Sequence, residues 1–283
     1  MFTFGYVSVV GKPNAGKSTL INSLVGEKVA IVSDKPQTTR NNILGIKSSD
    51  DYQLVFVDTP GIHHSKNHLD KFMMKNVRSA LSGVDLIVYL VDSSKFCDQD
   101  EKDYIENLKS KETPVLVALT KCDKPKKSDL TGDVEISSYT GENLDVLLQK
   151  ILEKLPKSEE KKYVYDPEFY TDKSLRFLVS ENIREFALKN LDKEIPHGLA
   201  VEIIRFEEKE NLTVIEADII CEKDSHKGII IGKQGKTLKK IGEQARKEIE
   251  TLLGQKVLLK LFVKVEQDWR NKPNKINTFG YEE

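Results

Sequence analysis

The chain has 283 residues, 39% hydrophobic and 31% charged, with a formal net charge of −1. That is length for two domains and enough apolar residue for packed cores, which excludes a disordered chain. Cys97, Cys122 and Cys221 are far apart and form no Cys-x-x-Cys, so a disulfide framework or a zinc site is excluded as well.

Short β-branched runs at 4–10, 43–47, 52–57, 84–91, 115–120 and 134–137 predict strands. Helical patterns alternate with most of them: Leu69, Phe72, Met73, Val77 and Ala80 share one face, and Leu144, Leu147, Leu148, Ile151, Leu152 and Leu155 share another. Residues 1–156 are therefore expected to be an α/β domain, a mostly parallel sheet with flanking helices. Residues 157–172, with Pro167, a charged cluster and several tyrosines, read as a linker. Residues 173–283 are expected to form an α+β domain with a tail, in the order helix (174–190), strand (199–206), strand (212–221), helix (around 227–231), helix (236–253), strand (257–265). No apolar run approaches the roughly 20 residues of a membrane span. The opening Met-Phe-Thr-Phe-Gly-Tyr lacks a signal peptide's basic start and long apolar stretch, so a cytoplasmic location is expected.

Gly11-Lys12-Pro13-Asn14-Ala15-Gly16-Lys17-Ser18 matches G-x-x-x-x-G-K-[ST], follows a predicted strand and, with Thr19, opens a helix ending near Gly26. Backbone N–H groups of such a loop close around phosphates, Lys17 reaches the β and γ oxygens, and Ser18 ligates Mg²⁺. Asp58-Thr59-Pro60-Gly61 follows an apolar strand and supplies a carboxylate on the metal side and a bare glycine N–H for the γ-phosphate. Between the two lies Pro36-Gln37-Thr38-Thr39-Arg40, where Thr39, chosen over Thr38, completes the metal set Ser18, Thr39 and Asp58. Thr120-Lys121-Cys122-Asp123 ends a later strand, and a carboxylate at Asp123 accepts two donors that guanine has and adenine lacks. Ser137, Ser138 and Tyr139 back the base from the next strand end. The expected ligands are GTP, GDP and Mg²⁺. Ile62 stands where Ras-like enzymes carry a water-orienting glutamine, and His63 and His64 read as solvated loop residues.

Gly232-Lys233-Gln234-Gly235 is a G-x-x-G, a weak signal alone. It lies between a helix carrying Lys227, Gly228 and Ile231 and the amphipathic helix of Leu238, Ile241, Ala245, Ile249 and Leu252, the element order of a type II KH domain. There the glycines admit a sugar-phosphate backbone, and Lys233, Lys236, Lys239 and Lys240 supply phosphate contacts. Between Lys223 and Lys247 eight basic residues stand against two acidic ones. Trp269 reads as a packing residue rather than a base-stacking one.

These elements in this order resemble the translation-factor-related GTPases. The phosphate loop, Pro36-Gln37-Thr38-Thr39-Arg40, Arg176-Phe177-Leu178-Val179, the run 195–202, the run 226–233 and Asp268-Trp269-Arg270 are most similar to the Era-type GTPases, over essentially the whole chain. The resemblance implies a GTP-hydrolysing switch in which Asn14, Lys17, Thr39, Asp58 and Gly61 serve hydrolysis, with K⁺ held at Asn14. It also implies a KH domain bound to a pyrimidine-rich region near the 3′ end of 16S rRNA, action in 30S subunit assembly, a monomer, and a peripheral contact with the inner membrane. Three departures stand out: Thr120 replaces the asparagine of the guanine motif and is expected to weaken binding, Ser138 and Tyr139 depart from Ser-Ala-Lys, and only ten residues separate Asp123 from Val134. The rivals are a peripheral membrane signalling GTPase and a constitutive RNA-binding module with a structural nucleotide. Against the second, Thr39, Asp58 and Gly61 are kept together, and γ-phosphate sensors matter only if that phosphate comes and goes.

Overall fold

The structure, a computed structural model, describes residues 1–63, 65–192 and 195–281. The chain forms two compact units, Met1–Ala30 with Thr39–His64 and Met73–Asp172, and Ile31–Thr38 with Ser65–Phe72 and Lys173–Glu283. Two short segments from the first half, 31–38 and 65–72, thus belong to the second unit, which no composition shift announces.

The first unit carries β1 (Phe2–Gly11), α1 (Lys17–Val25), β2 (Ile43–Ser48), β3 (Tyr52–Asp58), the later part of α2 (His68–Ser79), β4 (Leu86–Asp92), α3 (Gln99–Lys109), β5 (Val115–Thr120), β6 (Val134–Ile136), α4 (Leu144–Lys154) and β7 (Lys157–Ser158). The sheet order is β2-β3-β1-β4-β5-β6, parallel except that β2 runs antiparallel to β3 and β7 antiparallel to β1. Its strands are apolar without a polar face because helices cover both sides. In β4, Leu86, Val88 and Leu90 join Leu20, Leu24, Leu147 and Ile151 of α1 and α4, while Ile87, Tyr89 and Val91 join Ile105 and Leu108 of α3. This is the period-two alternation of a strand buried on both faces.

Helix α3 is absent from the sequence reading because its apolar stripe is thin, with Ile105 and Leu108 as its buried aliphatics. Its local signal is a cap: the Asp98 carboxylate accepts from Glu101 N at 2.9 Å. No helix forms between Asp123 and β6, as the short spacing predicts. Instead Lys127 N and Ser128 N both donate to Ser93 O, at 2.8 and 3.0 Å.

The stretch read as a linker is tied down. Val164 N and Tyr165 N donate to Gln53 Oε1 at 2.8 and 3.0 Å, Ile46 N donates to Tyr170 O at 2.8 Å, and Leu44 N donates to Asp172 Oδ1 at 3.0 Å. The last two satisfy donors on the edge strand β2, which would otherwise offer them to a second chain.

The second unit has α5 (Leu175–Asn190), β8 (Ala200–Lys209), β9 (Leu212–Cys221), α6 (Asp224–Ile231), α7 (Lys236–Leu253), β10 (Lys256–Val265) and α8 (Pro273–Thr278). β9 is central, antiparallel to β8 and parallel to β10. Ile215, Ala217 and Ile219 on one face of β9 bury against Val179, Ile183 and Ala187 of α5 and Ile241, Ala245 and Ile249 of α7. Trp269 packs as expected: it is fully buried, its indole N–H donates to Gly198 O at 2.9 Å, and its ring stacks on Tyr281.

Candidate nucleotide site and nucleic-acid interface

The phosphate loop joins the C-terminal end of β1 to α1, where ligands sit in open parallel sheets. Gly11 lies at φ +152°, and a Cβ there would stand 2.5 Å from Leu90 O, so a side chain is excluded. Gly16 caps α1 in the left-handed region and Asn14 takes φ 64°. Lys17 is buried and its ammonium donates to the carbonyls of Gly11 and Lys12, each at 3.2 Å. Burial lowers its pKa to about 8. Lys12 contributes that carbonyl, while its own ammonium pairs with Asp98.

Ser18, Thr39 and Asp58 meet as expected. Ser18 Oγ donates to Asp58 Oδ2 at 2.7 Å and lies 2.9 Å from Thr39 Oγ1, which donates to the same carboxylate oxygen at 3.2 Å. Thr38 turns away, its hydroxyl donating to Lys35 O at 2.6 Å. Asp58 is fully buried, Oδ1 has no hydrogen-bond partner among the described residues, and burial pushes its pKa up to about 6. One buried carboxylate with an orphaned oxygen, flanked by two hydroxyls, fits Mg²⁺, which takes few protein oxygens and keeps waters and phosphate oxygens as its other ligands. Ser18, Thr39 and Asp58 are therefore the candidate set.

Asp58-Thr59-Pro60-Gly61 lies against the phosphate loop. Thr59 Oγ1 donates to Val9 O at 2.9 Å, and a Cβ on Gly61 would come within 2.9 Å of Pro13 Cα. Only glycine brings that backbone so close. Ile62 N donates to Gly11 O at 3.3 Å while its side chain packs on the cluster around Tyr89. His63 Nδ1 lies 2.7 Å from Gly61 O, and His64 falls outside the described residues.

At the base end, Ser137 Oγ donates to Asp123 Oδ1 at 2.6 Å, fixing the carboxylate. Lys121, at φ 62°, donates to Asn14 O at 2.7 Å and to Asp92 Oδ2 at 2.6 Å. Sequence reasoning passed over Asp92. It ends β4 opposite Thr120 of β5, and an acid at the C-terminal end of a parallel strand was the available signal. Burial works against its charge, yet the Lys121 and Ser94 hydrogen bonds outweigh that and hold its carboxyl below the ordinary value.

The Thr120 hydroxyl is buried and donates to Ala15 O at 2.8 Å, with Val91 O at 3.2 Å, so this short side chain reaches the phosphate loop. Ser138 contributes its carbonyl to Ser23 Oγ at 3.0 Å, and the Tyr139 side chain is 89% exposed.

In the second unit a tight 3-10 turn (Lys233–Gly235) joins α6 to α7. Gly232 takes φ +74°, and a Cβ there would sit 2.2 Å from Thr237 Oγ1; Gln234 and Gly235 are left-handed too. Lys233, Gln234, Lys236, Lys239 and Lys240 are exposed, Gly228 is exposed, and Lys227 and Ile231 are half-buried. Beside this loop lies a groove of about 410 Å³ with Leu238, Leu259 and Leu261, the small Gly235 and Gly242, and the charged Lys239, Glu243 and Arg246 along it. A projecting basic turn next to a groove with leucines in its wall can hold a phosphate backbone with its bases laid inward. Among the described residues no helix is long and apolar enough to cross a membrane.

Residues 6–121 match the family described as 50S ribosome-binding GTPase, and residues 194–270 match the KH domain family. The chain is 46% identical to GTPase Era of Clostridioides difficile and 45% identical to that of Clostridium botulinum, with 99% of each chain covered. It is similar over 100% of both chains, at 37% identity, to a crystal structure of Era in complex with MgGDPNP and nucleotides 1506–1542 of 16S ribosomal RNA (TM-score 0.94). A structure of Aquifex aeolicus Era bound to GDP and AlF4⁻ is equally similar, at 37% identity and a TM-score of 0.93. With a phosphate loop, a hydroxyl–carboxylate cluster and a G-x-x-G turn in one chain, and full-length identity at this level, the chain belongs to the GTPase Era family: it is a GTPase with a C-terminal KH domain.

Proposed function

We propose that the first half binds GTP and GDP with Mg²⁺ and that nucleotide state controls how the KH domain grips single-stranded RNA near the 3′ end of 16S rRNA during 30S assembly. The observation that carries this reading is the meeting of Ser18, Thr39 and Asp58. A threonine hydroxyl on the metal carboxylate gives a contact that the γ-phosphate can strengthen or release. Ser18, Thr39 and Asp58 would hold Mg²⁺, which when bound offsets charge on the phosphate oxygens.

In hydrolysis Lys17 exchanges the Gly11 and Lys12 carbonyls for phosphate oxygens, a move toward stronger, charge-assisted hydrogen bonds. Gly61 offers its N–H to the γ-phosphate from beside Pro13. Ile62 cannot orient water, and Asn14, left-handed within the phosphate loop, would hold a K⁺ ion that, when bound, would offset negative charge on the phosphate oxygens. Asp123, braced by Ser137, reads guanine, with Lys121 alongside, and Ser138 and Tyr139 follow Ser137 at the base end. In domain terms the GTPase spans 1–156, a connecting stretch 157–172 and the RNA-binding part 173–283, in a monomer.

The test is filter binding of a short RNA copying the 3′ end of 16S rRNA, in a non-hydrolysable GTP analogue against GDP. Tighter binding with the analogue is expected. Equal binding in both would leave two independent activities in one chain.

A further inference from the structure

We propose that Arg184 is a positioning residue for the nucleotide site, holding the Thr38 carbonyl and thereby setting the Thr39 hydroxyl for GTP. This rests on the reading of Thr39 as a metal ligand.

The guanidinium of Arg184, on α5, is fully buried. Its Nε donates to Glu181 Oε1 at 2.7 Å and its Nη2 to Glu181 Oε2 at 2.5 Å, a fork that fixes the plane of the group. The same Nη2 donates to the carbonyl of Thr38. Among the described side-chain and backbone groups Nη1 finds no partner, so one donor nitrogen already goes unsatisfied. Losing the Thr38 carbonyl would strip a further bond from a charge that water cannot reach, and such a loss is costly. Arg184 therefore acts as a clamp.

The segment it clamps is held at three further points within the second unit. Ile31 is buried in the same core as Val179 and Ile183 of α5, and Lys35 pairs with Asp192 at 2.7 Å. Gln37 donates to Asp70 Oδ1 at 2.7 Å, and Asp70 Oδ2 accepts from Lys66 N at 2.8 Å, which ties the 31–38 segment to the 65–72 segment. Thr38 is the last residue of this set, and the next residue, Thr39, places its hydroxyl on Asp58 and Ser18. One peptide bond thus separates a carbonyl fixed by Arg184 from a hydroxyl fixed by the metal carboxylate. Moving one by an ångström moves the other.

The test uses the full chain and equilibrium binding of fluorescent GDP and of a fluorescent non-hydrolysable GTP analogue, each in saturating Mg²⁺ and in EDTA. Arg184→Lys keeps the charge beside Glu181 but loses the fork. It is expected to cut the Mg²⁺-dependent gain in analogue affinity about tenfold, the scale of one charge-assisted hydrogen bond, with GDP binding unchanged. Glu181→Gln, which loosens the clamp but leaves the arginine, should give a smaller loss in the same sense. A merely structural role would lower the melting temperature and weaken both nucleotides equally, and that result overturns the proposal. So does parent-like Mg²⁺ dependence in Arg184→Lys or, should that variant fail to fold, in Glu181→Gln. Thr39→Val separates the two levels. If it keeps the parent's Mg²⁺ dependence, the metal reading itself falls; if it loses it while Arg184→Lys does not, only the clamp falls.

Discussion

Thr120 stands where the family motif has asparagine, and its buried hydroxyl bridges to Ala15 O. Thr120→Val keeps the shape and removes the proton, so GDP and GTP affinities are expected to fall together by about 1 kcal/mol in titration calorimetry. Thr120→Asn should gain nothing, because the pocket is sealed at 2% exposure; tighter binding by that variant would show the brace to be incomplete. At Asp123, replacement by Asn presents an amide to guanine's donors and a better match to xanthine, so competition between GTP and XTP should reverse. Asp58 and Lys17 give a pH signature in the nucleotide-free protein. Asp58 rises from 3.8 to about 6, so between those values the folded state holds a proton that the unfolded chain releases, and stability falls as pH rises, by about 3 kcal/mol in all. Lys17 falls from 10.5 to about 8, so in that window the unfolded chain binds the proton better and stability rises with pH. Urea midpoints across the acid window, with Asp58→Asn as the flat control, check the first statement. Each of these residues was legible as a type in a motif, but the Thr120–Ala15 bond and the Asp92–Lys121 pair were not. They join residues 105 and 29 positions apart, across strands that only the folded sheet makes neighbours.

Among elements, the turn between α6 and α7 depends on left-handed backbone at Gly232, Gln234 and Gly235. Gly232→Ala drives a methyl into Thr237, and both that clash and the strained φ are expected to destabilise the turn and weaken RNA binding with it. Lys233→Asp with Gln234→Asp keeps both glycines and sets two negative charges where a phosphate backbone must pass, so RNA binding should fall at least a hundredfold while GTP binding is unchanged. Filter binding and nucleotide titration on the same preparation distinguish the two. Strands were easy to read because both faces of the sheet are buried, leaving unbroken apolar runs. Helix α3 was hard because only Ile105 and Leu108 mark its apolar face, and its Asp98 cap is the stronger signal. The 157–172 stretch was misleading for a different reason: its composition is that of a solvated tether, yet the Tyr170 carbonyl and the Asp172 carboxylate satisfy donors on an edge strand, and nothing local in the sequence shows that those donors lie within reach.

For the whole molecule, nucleotide and RNA affinities should be linked. If GTP changes RNA affinity by some factor, RNA must change GTP affinity by the same factor, and the Lys233→Asp, Gln234→Asp variant should abolish both effects. Measuring the two affinities in parent and variant tests this, and RNA binding indifferent to nucleotide in the parent would leave two independent activities and no switch. The amino-acid sequence by itself determined the chemistry: the phosphate loop, the Asp58 and Asp123 motifs and the G-x-x-G turn are contiguous runs whose residue types and order carry their function, and hydrophobic periodicity placed them on strand ends and helix starts. The tertiary structure alone decided that residues 31–38 and 65–72 pack with the KH-bearing unit rather than with the sheet that flanks them in sequence. It also decided that Arg184 holds the carbonyl of Thr38, next to the Thr39 whose hydroxyl meets Asp58. The physical reason is that these outcomes follow from which buried groups find partners after folding. A buried arginine takes the carbonyl within its reach, and no local pattern encodes a bond spanning 146 positions.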